Sequence, residues 1–276
     1  HSTRFVSPSG AEEGGGGRGP VVPRARLSDD IAAPALESLE IIWRQSPKVD
    51  GNGHFGHRIA FGPDGMLYIS SGERQKFTPA QDMAQNLGKV IRLTDSGGIP
   101  AENPFAGQGG VTAQIWSLGH RNPLGLAFDA DGRLWEMEMG PAGGDELNIV
   151  TRGGNYGYPI VSNGNHYDGR DIPDHAPGDG YIAPRLWWNP VISPGGLMIY
   201  NGTAFPAWRG DAFIPALSGT GLVRVDLDGE NARQPDRWNL ELRFRAVAQD
   251  PAGGIWLLED GGRQGEGRLY RLVPRG

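Results

Sequence analysis

Leu126-Ala127-Phe128-Asp129-Ala130-Asp131-Gly132-Arg133-Leu134-Trp135 reads as two short apolar strands joined by a tight acidic turn that ends in glycine. The same phrase occurs at Ile59-Ala60-Phe61-Gly62-Pro63-Asp64-Gly65-Met66-Leu67-Tyr68-Ile69. It returns at Ala246-Val247-Ala248-Gln249-Asp250-Pro251-Ala252-Gly253-Gly254-Ile255-Trp256-Leu257-Leu258. A variant pairs residues 197–200 with residues 211–215 through a longer connection containing Trp208-Arg209-Gly210. Further strand-like runs follow three of these units, at residues 89–93, 221–227 and 267–273. Four units, with a partial one ending near Trp43-Arg44, predict an all-β chain of four-stranded antiparallel blades repeated around an axis, a β-propeller. The expected organisation is a single propeller domain over residues 1–276, with residues 1–45 forming a partial N-terminal blade and outer strands.

Composition agrees with a turn-rich β protein. The 276 residues include 45 Gly and 22 Pro, no Cys, and a formal net charge of -6. Gly and Pro at this level favour turns over long helices. The acidic balance without basic runs argues against nucleic-acid binding. Without cysteine there is neither a disulfide framework nor a thiolate metal site. No apolar run reaches the roughly 18 residues needed to span a bilayer as a helix. The chain begins at His1, so a processed or truncated product is expected. Gly14-Gly15-Gly16-Gly17-Arg18-Gly19-Pro20 reads as a flexible loop between strands near Arg4-Phe5-Val6 and Arg24-Ala25-Arg26-Leu27. It lacks the Gly-Lys-Ser/Thr ending of a phosphate-binding loop.

Several residues carry potential chemistry. Gly119-His120-Arg121-Asn122-Pro123 sets a guanidinium and an amide beside a turn, close in sequence to Gly140-Pro141 and Asp145-Glu146. Such groups suit an anion held together with a hard cation such as calcium, bound through carbonyls or carboxylates. His54 precedes an inner strand and stands at the rim of the expected channel, as a general base or as a loop histidine bonded to backbone. A zinc pair with His57 is disfavoured, because this spacing in a strand or loop turns the rings to different faces. Glu73 lies where it can meet and orient His54, the alternative being a surface ion pair with Arg74 or Lys76. Arg243 and Arg245 alternate on one strand face and, with Arg121, could converge on a polyanion; the alternative is that each pairs with an acid or stacks on Trp. Trp187-Trp188 is either a sugar-stacking wall or core. The polar stretch 163–181 reads as a binding loop or lid.

Taken together, these segments resemble the soluble pyrroloquinoline-quinone (PQQ)-dependent sugar dehydrogenases, the glucose/sorbosone or aldose dehydrogenase family. The likeness runs from about Arg24 to the C-terminus. It is carried by Gly53-His54-Phe55-Gly56-His57-Arg58-Ile59, Gly88-Lys89-Val90-Ile91-Arg92-Leu93, Gly119-His120-Arg121-Asn122-Pro123, Gly140-Pro141-Ala142-Gly143-Gly144-Asp145-Glu146-Leu147-Asn148, Asn155-Tyr156-Gly157-Tyr158-Pro159 and Arg243-Phe244-Arg245.

The resemblance implies a six-bladed propeller with the quinone over the channel mouth beside a calcium ion. It implies that His54 takes the C1 hydroxyl proton of an aldose while hydride passes to quinone C5, giving the lactone. Glu73 assists that histidine. Arg121 contacts the quinone oxygens with Asn122, Arg243 and Arg245 bind its carboxylates, and the Gly140 and Pro141 carbonyls bind Ca2+. Trp188 is the expected sugar contact. Two departures stand out: Ser218 occupies the position where some members place a quinone-binding lysine, and the opening blade has no counterpart before His1. A periplasmic or secreted location is expected by resemblance, with an unknown electron acceptor. The competing functions are a non-catalytic propeller that binds carbohydrate or a protein partner, and a calcium-dependent lactonase.

Overall fold

The computed structural model describes residues 3–5, 11–14, 17–30, 32–261 and 265–274. Within them the chain is all-β, with only four short 3₁₀ turns. Strands β1 (Thr3–Phe5) and β2 (Ala11–Gly14) lie end to end along one side of β3 (Gly17–Leu27), and β4 (Leu36–Arg44) pairs with its other side. Four sheets follow. The first contains β5 (Gly56–Phe61), β6 (Leu67–Ser71), β7 (Lys89–Leu93) and β8 (Ile115–Leu118) in chain order. The second contains β9 (Pro123–Phe128), β10 (Leu134–Glu138), β12 (Asp145–Val150) and β14 (Leu186–Trp188). A separate two-stranded ribbon joins β11 (Ala142–Gly143) to β13 (Gly164–Asn165).

The third sheet runs through β15 (Met198–Ile199), β16 (Ala212–Ala216), β17 (Gly221–Asp228) and β18 (Asn231–Asn239). The fourth has three strands, β19 (Phe244–Gln249), β20 (Ile255–Glu259) and β21 (Leu269–Leu272). The innermost strands touch in succession, β5 on β9, β9 on β15, and β15 on β19. The four expected units and the partial N-terminal sheet are therefore present. The six blades of the expected family fold are not completed by the described residues, and the sheets form an arc rather than a closed ring.

The repeated phrase folds into a repeated device. In each copy the turn glycine has positive φ, 75° at Gly65, 82° at Gly132 and 84° at Gly253, which only glycine adopts without strain. The turn aspartate then uses its two oxygens differently. Asp129 Oδ1 accepts from the amides of Asp131 and Arg133, and Oδ2 accepts from the Trp135 indole at 2.9 Å. Asp250 repeats this with the amides of Ala252 and Gly254, then Trp256 at 2.9 Å and Arg271 Nε at 2.9 Å. At Asp64 the same positions are filled by the Met66 amide, Tyr68 and Arg92. Each aspartate thus pins the turn to an aromatic on the next strand.

The cores lie between successive sheets. Strand alternation sends Leu67 and Ile69 toward Val22 and Trp43 of the N-terminal sheet, and Tyr68 toward Leu126 and Leu134 of the second. Trp135, Met137 and Leu147 meet Ile214 and Val223 of the third sheet, whose Phe213 and Leu222 meet Phe244 and Leu257 of the fourth. Full burial of each such side chain contributes about 1.5–3 kcal/mol. One expectation fails: Gly17, Arg18, Gly19 and Pro20 belong to β3 and are not a flexible loop. Gly17 is needed for close approach, since a Cβ there would lie 2.8 Å from the Lys48 carbonyl carbon. Gly15, Gly16 and Val6 lie outside the described residues.

Candidate active site

His54 sits in the loop before β5, with φ of 50°. Its Nδ1 hydrogen-bonds Glu73 Oε1 in a short contact, which leaves Nε2 as the available ring nitrogen. Glu73 follows β6, the strand paired with β5, so the hairpin brings the two residues to the same end of one sheet. The Glu73 side chain is fully buried, and its Oε2 accepts from the amides of Lys76 at 2.5 Å and Phe77 at 2.7 Å. Burial opposes its charge. The His54 bond, the Phe77 amide and the charges of His54 and Arg121 outweigh that penalty and hold its pKa below the ordinary value. The surface ion-pair alternative is not taken.

Arg74 instead turns inward beneath the Phe55 ring, 3.8 Å from its centroid. It donates to the carbonyls of Gly53, Gly51 and Arg18 and to Gln45 Oε1. Arg74, Gln75 and Phe77 all have positive φ near 60°, like His54. Such strain in non-glycine residues gathers where surrounding structure over-determines a site. His57 is largely buried and bonded to the Val21 backbone, and burial is the main cause that lowers its pKa to about 4.

Arg121 closes the other side. Its carbonyl accepts from the Glu73 amide at 2.9 Å, and its own amide donates to Glu138 Oε2 at 2.6 Å. The side chain is buried, with Nη1 donating to the carbonyls of Met139 at 2.7 Å and Gly140 at 2.5 Å. Its Nε has no hydrogen-bond partner among the described residues. Asn122 Oδ1 accepts from the Gly56 amide at 3.1 Å, which ties the start of β9 to the His54 loop. Asp145 Oδ1 accepts from the Gly140 amide, and Oδ2 from the amides of Ile192 and Ser193. Burial nevertheless raises its pKa to about 6, against those three bonds and the Arg121 charge.

The β11–β13 ribbon anchors one end of the 163–181 loop beside Pro141. From that loop Tyr167 reaches Arg121, its hydroxyl 3.3 Å from Nη2, and His166 packs edge-on against Phe77. Phe77, Arg121, Pro141, Tyr158, Tyr167 and Arg170 border a half-open cavity of about 180 Å³. Of its aromatic members, Tyr158 lies in a segment that carries the family resemblance, Tyr167 was signalled only by the loop's length, and Phe77 by nothing in the sequence.

The remaining expected site residues are spread out. Arg243 and Arg245 share one face as their spacing predicts, and both donate to Asp260 Oδ2 at 3.1 Å, so the acid-paired alternative holds for each. Arg245 also faces Arg58, whose pKa is lowered by burial and by that neighbouring charge. Arg58, which sequence reasoning passed over, spans three segments by donating to the carbonyls of Leu124 and Gly195, both at 2.8 Å. It borders a second cavity of about 190 Å³ among the innermost strands. Ser218 donates to Ser193 Oγ at 2.7 Å, and the Ser193 amide reaches Asp145, so Ser218 joins Gly140 through a hydrogen-bond chain. Trp188 takes the core alternative: it is buried between the second and third sheets, with its indole on Gln234. Its place in the β14 register turns it inward and leaves Trp187 exposed, so Trp188 is not an accessible sugar wall.

Known proteins resemble this chain in sequence and fold. The chain is 36% identical over 280 residues to the aldose sugar dehydrogenase YliI of Escherichia coli, covering 99% of this chain and 74% of that protein. The apo-form crystal structure of the soluble E. coli aldose sugar dehydrogenase superposes with a TM-score of 0.89 at 36% identity, covering 96% of this chain and 77% of that one. The PQQ-bound aldose sugar dehydrogenase of Streptomyces coelicolor superposes with a TM-score of 0.73 at 28% identity, covering 98% and 78%. The glucose/sorbosone dehydrogenase family model matches residues 2–271, and the chain belongs to that family.

Proposed function

We propose that the protein oxidises aldose sugars at C1 to the lactone, using PQQ, in a periplasmic or secreted setting. The observation that carries this reading is the buried Glu73 carboxylate on His54 Nδ1, beside Arg121 and an aromatic-walled cavity. Glu73 fixes the ring and its tautomer, so His54 Nε2 accepts the C1 hydroxyl proton. Loss of that proton makes the C1–H bond a hydride donor. When bound, PQQ supplies the hydride acceptor at its C5, chemistry that no side chain provides.

The donor set fits an anionic quinone. Arg121 Nε is buried without a hydrogen-bond partner, and the guanidinium borders the cavity. In this reading Arg121 and Asn122 hold the quinone, and Arg243 and Arg245, about half exposed, take its carboxylates. Ser218, exposed and bonded to Ser193, would add a hydroxyl in place of the family's lysine. Calcium fits less well: the Gly140 carbonyl already accepts from Arg121 Nη1, so a Ca2+ on Gly140 and Pro141 would share that oxygen with a cation.

The test is reconstitution. Quinone is added to the purified chain with and without calcium, and dye reduction is followed with several aldoses. The proposal expects sugar-dependent reduction that His54→Ala abolishes; activity at near wild-type rate in that variant would sink the assigned role. Failure to bind quinone, together with measurable glycan binding, would decide for a non-catalytic propeller.

A further inference from the structure

The face of β10 that begins with Leu134 in the apolar seam between the first and second sheets continues as Glu136 and then Glu138, both buried. Asn148 of β12 sits directly opposite Glu136 and is also buried. His120, fully buried in the turn after β8, completes the group from the other sheet. Its Nε2 is held by Ser117 Oγ at 2.8 Å and its ring stacks on Tyr156 at 4.6 Å. Nδ1 therefore points at the acids, 3.4 Å from Glu138 Oε1 and 4.0 Å from Glu136 Oε2.

We propose that His120 Nδ1, Glu136, Glu138 and the Asn148 carboxamide oxygen form a site for a divalent transition-metal ion of the zinc type, distinct from the Gly140/Pro141 carbonyls. One oxygen of each carboxylate and the imidazole nitrogen lie within 4.8 Å of one another. Tetrahedral zinc with bonds near 2.0 Å sets ligand atoms about 3.3 Å apart, so small side-chain shifts close the site.

In and beside that cluster, two buried acceptors lack hydrogen-bond partners among the described residues, Glu136 Oε1 and Asn148 Oδ1. The Asn148 amide nitrogen reaches Glu136 at 3.1 Å and Glu138 at 3.4 Å, so the side chain is aimed into the cluster. A half-turn of the amide puts its orphaned oxygen there instead.

Charge and ligand type set the metal class. Two carboxylates and a neutral imidazole balance one divalent ion, and the imidazole favours zinc-like ions over calcium, which takes oxygen donors. Ser117 Oγ on Nε2 fills the outer position that fixes the tautomer of a metal-bound histidine, a place more often taken by a carboxylate, carbonyl or water. Burial, and after it the charges of Glu138 and Glu146, push the Glu136 pKa upward against the Asn148 hydrogen bond. The Arg121 amide is on Glu138 Oε2, so an ion here would brace the backbone that carries Arg121.

The test is zinc titration calorimetry on chelator-treated full chain, in millimolar calcium so that calcium-preferring sites are filled. Wild type is expected to bind one equivalent of Zn2+. Glu136→Gln, nearly isosteric and relieved of a buried charge, should fold and weaken binding on the order of 100-fold, and Ser117→Ala should weaken it about 10- to 100-fold. Cobalt should give the ligand-field bands of a low-symmetry site in wild type alone. Absence of stoichiometric zinc binding by wild type, or undiminished binding by a folded Glu136→Gln, overturns the proposal; the cluster then holds protons. Sugar-dependent dye reduction in the same preparations reads the catalytic proposal separately.

Discussion

Glu73 holds His54 by its Nδ1 while its second oxygen is itself held by the amides of Lys76 and Phe77. The carboxylate is therefore fixed at both ends before any ligand arrives. A base whose tautomer is set in this way loses most of its effect when the charge behind it is removed. Glu73→Gln is expected to lower kcat on the order of 10²- to 10⁴-fold with a smaller change in KM, measured by dye reduction after reconstitution.

The same residue gives a pH dependence. Its folded-state pKa lies below the ordinary value, so its stabilisation is present above the usual glutamate range and is lost as pH falls through the lowered folded value. Melting temperatures of wild type and Glu73→Gln should differ most near neutrality and converge in acid. A difference that grows on acidification would contradict the assigned direction.

Arg121→Lys keeps the charge but cannot serve the Met139 and Gly140 carbonyls and a bound anion at once. Quinone affinity, followed by absorbance titration, is expected to fall at least about tenfold while the far-ultraviolet dichroism stays unchanged. Equal affinity in the two proteins would remove Arg121 from the quinone seat.

At the hairpin turns, Asp250 is held at about 2 by the Trp256 indole, then by the Gly254 amide and Arg271. The sign is that of a depressed carboxylate: its contribution is complete above the ordinary aspartate range and disappears as pH falls through about 2. Asp250→Asn should lower the melting temperature at neutral pH and lose that deficit near the acid limit. A deficit independent of pH would assign the effect to packing alone.

The two adjacent tryptophans should separate cleanly. Trp188→Ala removes a buried ring and is expected to cost about 3–5 kcal/mol in denaturant unfolding. Trp187→Ala, on an exposed position, should stay within about 0.5 kcal/mol.

The blades were legible because their instructions are local. Asp129, Gly132 and Trp135 lie within one turn, and both Asp250 and Asp64 repeat the pattern. Even the meeting of His54 with Glu73 follows from pairing two neighbouring strands. What the sequence hid depends on register and on distant segments. Trp187 and Trp188 differ by one position, which in a strand is the whole difference between solvent and core. Arg243 and Arg245 were correctly placed on one face, but Asp260, which occupies them, comes from beyond the neighbouring strand. Nothing local marks Arg58 as a bridge to Leu124 and Gly195, or Tyr167 as the ring over Arg121. The buried acids opposite His120 show no motif, since their proximity arises only when two sheets pack.

Arg74 has a consequence for the order of assembly. Its guanidinium gathers the carbonyls of Gly51 and Gly53 from the His54 loop together with Arg18 and Gln45 from the N-terminal sheet and the residue after it. The loop that aims the base is thus completed by a partner far away in the chain, whereas the β5–β6 hairpin needs only its own turn. During refolding the hairpin should form first and the alignment of His54 last, when the N-terminal sheet docks. Recovery of dye-reducing activity should then lag behind the regain of sheet structure, with Arg74 setting the delay.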